Sequence, residues 1–394
     1  MKDDSILVCG TGIAGLACAL GLSRAGLPVA LLGPRTPPPA RAPDDYHPRV
    51  YAISEASRSL LDGLGAWRLM DARRITPVET MEIHGDADGS VDLSAWQDAR
   101  DALAWIVESG EIERALHQAV QVMGATWHED RFTGLEPIAG GVRVTTAGGG
   151  PLQAGLLVGA DGARSPVRVA AGIHHDYTPY GDMGVVAHLD LELPHQNRAY
   201  QWFTGDSVFA LLPLPDTADG PQASLVWSMP EGRAREWLAM DEDAQQSCLA
   251  AHARAITGMR LGILRLRTRP QGFPLTLERT AMVAPGVALV GDAAHRVHPL
   301  AGQGLNLGLG DVRTLIEVLR TRESHRPVGD PRVLSRYRRR RAEAVQAMSL
   351  VTHGLHRLFA SPLAPAAWAR NLGMRAADRL PFLKRRLIQA AAGE

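Results

Sequence analysis

SILVCGTGIAGLACALGLSRAGLPVALLG, residues 5–33, decides the fold. SILVCG is a short apolar run of strand type. TGIAGLACALGLSRAG is rich in Ala and Leu and stops at Gly26, as a helix does, and LPVALLG is a second buried strand. The three make a β-α-β unit with Gly10, Gly12 and Gly15 spaced as GxGxxG at its first turn. The first glycine permits the tight turn. The second lets backbone approach a pyrophosphate, and the third lets helix pack on strand, while the helix N-terminus faces the phosphates. After a strand and opening a helix, the motif reads as dinucleotide-binding. An acidic residue usually ends the second strand and holds the adenosine ribose. Here Gly33 takes that place, with Arg35 just beyond. Read alone, the change favours a 2′-phosphate and hence NADP. The other reading leaves the ribose to backbone or water and Arg35 to solvent, and motifs further along favour it.

Outward from this unit, PRTPPPARAPDD (34–45) is too rich in proline for helix or central strand. Residues 52–73 read as helix, 78–96 as strands, 108–123 as helix and 142–160 as a hairpin-like pair. That pair runs into ADGARSPVR, where an apolar strand delivers Asp161 and Gly162 to a turn. From 176 to 280 the alternation is that of an antiparallel sheet, with a helix near 233–256. Residues 281–320 return to the strand-glycine-helix grammar of the start. GDAAHRVHPLAGQGLNLGLGDV (291–312) puts Asp292 at a strand end, where a carboxylate can accept from ligand hydroxyls. Gly302 and Gly304 would let backbone approach a flat ring. A helix starting near Leu305 would aim free N–H groups at an anionic atom, as a reduced flavin offers. The expected organisation is α/β: a Rossmann-like nucleotide domain in two parts (1–175 and 281–330), a mainly antiparallel substrate sheet inserted at 176–280, and basic helices at 331–394.

The 394 residues are 45% hydrophobic and 21% charged with a net charge of zero, which gives no sign of nucleic-acid binding. No apolar run reaches the ~18 residues of a membrane span. MKDDSILV does not read as a secretory signal, and three unpaired cysteines suit a reducing cytoplasm. Residues 336–394 carry 12 Lys and Arg against 3 Asp and Glu, a net +9, which marks the tail for a surface role. RYRRRR (336–341) reads as a solvated helix face and His174–His175 as a surface turn. His295 and His298 lack partners at metal-ligand spacing, so no metal is expected.

Together, the N-terminal GxGxxG, the central Asp-Gly and GDAAH…P…GQGLN resemble the FAD-dependent aromatic hydroxylases related to para-hydroxybenzoate hydroxylase. RVYAISEASRSLLDGLGAW (49–67), WIVESGEIERAL (105–116), ALLPLP (210–215), SLVW (224–227) and NLGMRAADRLPFLKRRLI near the end are similar to the ubiquinone-biosynthesis hydroxylase family over essentially the whole chain. The resemblance implies FAD as cofactor, NAD(P)H as co-substrate, and insertion of one oxygen atom from O2 into an aromatic ring, a polyprenylated phenol above all. It implies that Arg49 reaches the FAD pyrophosphate and that Asp161 and Gly162 lie between FAD and nicotinamide. Asp292 would bind the ribityl chain or pyrophosphate. The backbone of Gly304, Leu305 and Asn306 would face the flavin, with Pro299 and Gly302 beside it. No side chain is assigned as catalytic acid or base. A membrane-embedded substrate implies a cytoplasmic enzyme at the inner membrane surface, in contact with other proteins of the pathway. A hydroxylase of a small soluble phenol and a non-catalytic flavoprotein scaffold are the alternatives.

Overall fold

The computed structural model describes residues 4–39, 41–42, 44–85, 89–296 and 304–360, and near the C-terminus 384–385, 388–389 and 392. The opening stretch folds as β1 (Ile6–Cys9), α1 (Ile13–Arg24) and β2 (Val29–Leu32). β1 is the third of five parallel strands, in the order Thr126–His128, β2, β1, Leu156–Gly159, Val287–Leu289, with Val283–Ala284 antiparallel at the edge. β1 and Leu156–Gly159 are buried at every position, as strands covered on both faces must be.

β3 (Val50–Ile53) joins Ala104–Glu108 and Ile75–Val78 in a small antiparallel sheet. The long helix expected over 52–73 shrinks to α2 (Glu55–Gly63), because Gly65 adopts a left-handed φ of +77° and turns the chain into two short 3-10 turns. α3 (Ser109–Met123) packs on α1, and α4 (Pro166–Ala170) follows Asp161.

The large antiparallel sheet runs in the order His295–Arg296, Gln271–Thr280, His175–Leu191, Gly220–Pro230, Ser207–Thr217, Arg198–Thr204, Thr80–His84, Ser90–Ser94. It is not confined to residues 176–280. Thr80–His84 comes from the N-terminal part and pairs in parallel with Arg198–Thr204, a long-range pairing that no local pattern encodes. His175 begins a strand and pairs with Glu278 at 2.8 Å instead of forming a surface turn. One sheet face, with Val185, Leu225 and Trp227, is covered by α5 (Glu231–Ala239) and α6 (Glu242–Thr257). The two replace the single helix expected near 233–256, because Asp241 caps a new start by accepting from the Ala244 N–H.

α7 (Gly304–Arg320) and α8 (Pro331–Ala360) close the nucleotide layer. RYRRRR is not simply a solvated face. Arg336 and Arg340 pair with Glu323 and Glu317, and Arg341 is buried. The last described residues return to the substrate sheet, where Ile388 packs on Val91 and Leu93 and Arg385 donates to the Gln97 carbonyl at 3.3 Å. Among the described residues, no helix is long and apolar enough to cross a membrane.

Candidate cofactor and active site

Gly10, Asp161 and Asp292 follow three adjacent parallel strands, all at the carboxyl end of the sheet. Backbone bonds lock these ends together: Ala160 N–H to Cys9 C=O at 2.7 Å, Val290 N–H to Gly159 C=O at 3.0 Å, and Gly10 N–H to Leu32 C=O at 2.9 Å. The chain winds outward from β1 first to one side and then to the other, so these ends also mark the switch point where open α/β sheets bind ligands.

The glycines divide by what a side chain would meet. A Cβ on Gly10 would lie 2.3 Å from the Ala160 oxygen, and one on Gly15 would lie 2.0 Å from the Gly10 oxygen, so both serve close packing. Among the described residues, a Cβ on Gly12 or Gly304 would meet nothing within 4 Å. These two open onto space at the starts of α1 and α7. Gly12 is the N-cap of α1 and offers no side-chain cap, so that helix leaves N–H groups free for an anion. Gly308 has a different task. Its missing Cβ lets α7 approach Gly291 Cα, which would otherwise be met at 2.9 Å.

The two aspartates differ in the same way. Asp161 accepts from Ser165 Oγ and from the Val167 N–H at 3.0 Å, so its carboxylate folds its own turn; burial pushes its pKa up, against those bonds. Gly162 sits in the same turn with φ +83°. Asp292 is partly exposed, and among the described residues its carboxylate makes no hydrogen bond or ion pair. Its charge reaches Tyr51, whose phenol burial pushes up to about 12. Arg49 is exposed, with its guanidinium 5.0 Å from the Tyr51 ring centroid. Glu113 on α3, raised by burial, also feels Arg49.

Leu305 packs on the main core. Asn306 uses its side chain: Nδ2 donates to the Ala52 carbonyl at 2.8 Å and Oδ1 accepts from the Ser54 N–H at 3.0 Å. That clamp joins the start of α7 to the strand following Arg49. Pro299 and Gly302 lie outside the described residues.

Sequence reasoning overlooked the supports of the Gly291–Ala294 turn. Asp311, fully buried in α7, accepts from the Gly291 N–H at 2.9 Å, from His295 Nε2 at 2.7 Å and from Arg341 Nε at 2.6 Å. Burial alone would raise its pKa; His295, Arg341 and the N–H overcome that and hold it low. Arg168, also buried, donates to the Ala293 carbonyl at 3.0 Å and ties the Asp161 turn to the Asp292 turn. Thr280 Oγ1 donates to the Ala294 carbonyl and the Tyr337 hydroxyl to the Leu289 carbonyl. A signal for Asp311 was present: it falls between Leu307 and Leu315 at helical spacing, a core position that an unpaired carboxylate could not occupy.

Val186, Val226, Ala210 and Gln201 are register partners across four strands of the large sheet, on the face opposite α5 and α6. Val186, Val226 and Ala210 remain partly exposed in the middle of the sheet, an apolar strip open to a ligand.

A family model described as FAD binding domain matches residues 3–351. The 3-demethoxyubiquinol 3-hydroxylase of Escherichia coli K12 is 35% identical over 402 aligned positions, covering 100% of this chain and 99% of that one. The human mitochondrial ubiquinone biosynthesis monooxygenase COQ6 is 32% identical, covering 98% and 92%. Among solved structures, Klebsiella pneumoniae HpxO complexed with FAD and uric acid superposes with a TM-score of 0.75 at 18% identity, covering 98% and 96%, a likeness of fold.

Proposed function

This chain belongs to the FAD-binding-domain family, and from that premise we propose that it is an FAD-dependent monooxygenase hydroxylating an aromatic ring in ubiquinone biosynthesis. The observation that carries the reading is the convergence, at neighbouring strand ends, of two glycines, a helix N-terminus and Asp292 that among the described residues are open, uncapped and unpaired. Those residues suit FAD. Gly12 and the first N–H groups of α1 would take the pyrophosphate, with Arg49. Asp292 would accept from ribityl hydroxyls, and the backbone from Gly304 to Asn306 would face the ring. Asp161 and Gly162 would border the nicotinamide approach. Bound FAD supplies electron uptake from NAD(P)H and the activation of O2. The protein's share is to bind, to orient the aromatic ring and to keep water out.

We assign the nucleotide layer to residues 1–175 and 281–330, apart from the strands they lend to the large sheet, and substrate recognition to that sheet. The strip Val186–Val226–Ala210 suits an apolar, prenylated ring better than a small soluble phenol. A polyprenylated substrate resides in a bilayer, so we also propose peripheral contact with the inner membrane surface. Ile388 packs on the protein body while Arg385, bonded to the Gln97 carbonyl, stays exposed, so its charge remains available to that contact.

The test is NAD(P)H consumption by FAD-loaded protein with a prenylated phenol, with product mass measured for one added oxygen. Substrate-dependent consumption and the added oxygen are expected. No NAD(P)H consumption with any phenol would favour the scaffold, and preference for an unprenylated phenol would favour the soluble alternative.

A further inference from the structure

The adenosine end of the nucleotide site lacks its usual acid, and the structure restricts what can take over. Gly33 follows β2 beside Gly10 and Thr11. Its N–H donates to the His128 carbonyl at 3.1 Å, and its carbonyl accepts from Trp127 Nε1 at 2.9 Å. Its backbone is therefore committed within the protein. Arg35 sits with its guanidinium 6.0 Å from the Trp127 ring centroid, drawn to that face.

A side chain at position 33 is doubly disfavoured. The residue has φ +148°, and a Cβ there would lie 3.0 Å from Thr11 Cγ2 and 3.3 Å from Thr11 Oγ1. Thr11 thus fills the space through which an acidic side chain from position 33 would leave the backbone. It is partly exposed, and among the described residues its hydroxyl has no hydrogen-bond partner. Thr11 and Gly33 form an exchanged pair, in which the polar group is carried by the glycine turn and the strand end is stripped to make room.

We propose that the Thr11 hydroxyl is the partner of the adenosine ribose 2′-hydroxyl of FAD in this chain, in place of the missing acid. The inference rests on the reading of the chain as an FAD enzyme. A neutral hydroxyl gives a weaker bond than a carboxylate does, so binding at this end gains nothing from charge.

The experiment titrates apo-protein with FAD and with its 2′-deoxyadenosine analogue, for wild type, Thr11→Val and Thr11→Ser. Valine keeps the shape and removes the hydroxyl, so its apo-protein should melt with wild type. FAD affinity should fall about tenfold in Thr11→Val and stay within about twofold in Thr11→Ser. The 2′-deoxy analogue should bind wild type and Thr11→Val alike. Thr11→Val that binds FAD as wild type does, or that loses equally with both ligands, overturns the role of Thr11 and leaves the enzyme reading intact. Wild-type protein that takes up no FAD overturns both.

Discussion

Replacing Arg341 by Met should destabilise the whole protein, although the residue sits within a run of arginines that reads as solvated. Arg341 is 6% exposed and its guanidinium bonds Asp311 Oδ1 at 2.6 Å, while the aspartate itself is 0% exposed. Removing one partner of such a pair costs about 3–5 kcal/mol, because the remaining charge stays buried. His295 and the Gly291 N–H still face the carboxylate, so the cost should lie near the lower end, about 3 kcal/mol. With an m-value of about 3 kcal/mol per M, the urea midpoint should fall by about 1 M. Arg340→Met is the internal control. Arg340 pairs with Glu317, both are about half exposed, and its loss should cost about 1 kcal/mol at most. The assay is urea unfolding followed by tryptophan emission. Equal midpoints for the two variants would refute the argument that burial, and not the ion pair as such, sets the cost. The pH dependence follows from the lowered Asp311 pKa. A carboxyl held below its unfolded value, about 4, stabilises the protein above that pH and loses the contribution as pH falls through the folded value. Arg341→Met raises the folded value, so its acid unfolding should begin at a higher pH than that of wild type.

Gly12→Ala should leave the apo-protein melting unchanged, since its Cβ meets nothing, while lowering FAD affinity at least about tenfold; Gly15→Ala should instead destabilise the apo-protein, its Cβ falling 2.0 Å from the Gly10 oxygen. Asp292→Ala should weaken FAD binding by about tenfold to a hundredfold without changing apo stability. Asp161→Ala should cost about 1 kcal/mol of stability through the lost turn and affect reduction by NAD(P)H at least as much as flavin content; apo-protein titration and stopped-flow reduction separate the two. Cys9 and Cys18, buried and pushed up to about 12, should resist Ellman's reagent at pH 8 in the native protein and react on unfolding. Liposome co-sedimentation tests the peripheral contact: binding should need anionic lipid and weaken with salt, and absence of pelleting with anionic vesicles counts against it.

The sequence by itself determined the β-α-β start, the glycine turn, the inserted antiparallel block and the return at GDAAH, because each is written in local spacing. An apolar run, a glycine triplet and a helical period need only neighbours along the chain to be read. It also showed that Gly33 breaks the usual pattern. Tertiary structure decided what that break means, since a side chain at position 33 would crowd Thr11 only when β1 and β2 lie side by side. It likewise decided which glycines are packed, and that Asp161 is spent on its own turn while Asp292 has no partner among the described residues. It paired Thr80–His84 with a strand that begins at Arg198, 118 residues after Thr80, and drew Arg341 inward to Asp311. These outcomes depend on contacts between distant segments, and the same arginine or glycine obeys the same local rules whether or not a partner comes to meet it.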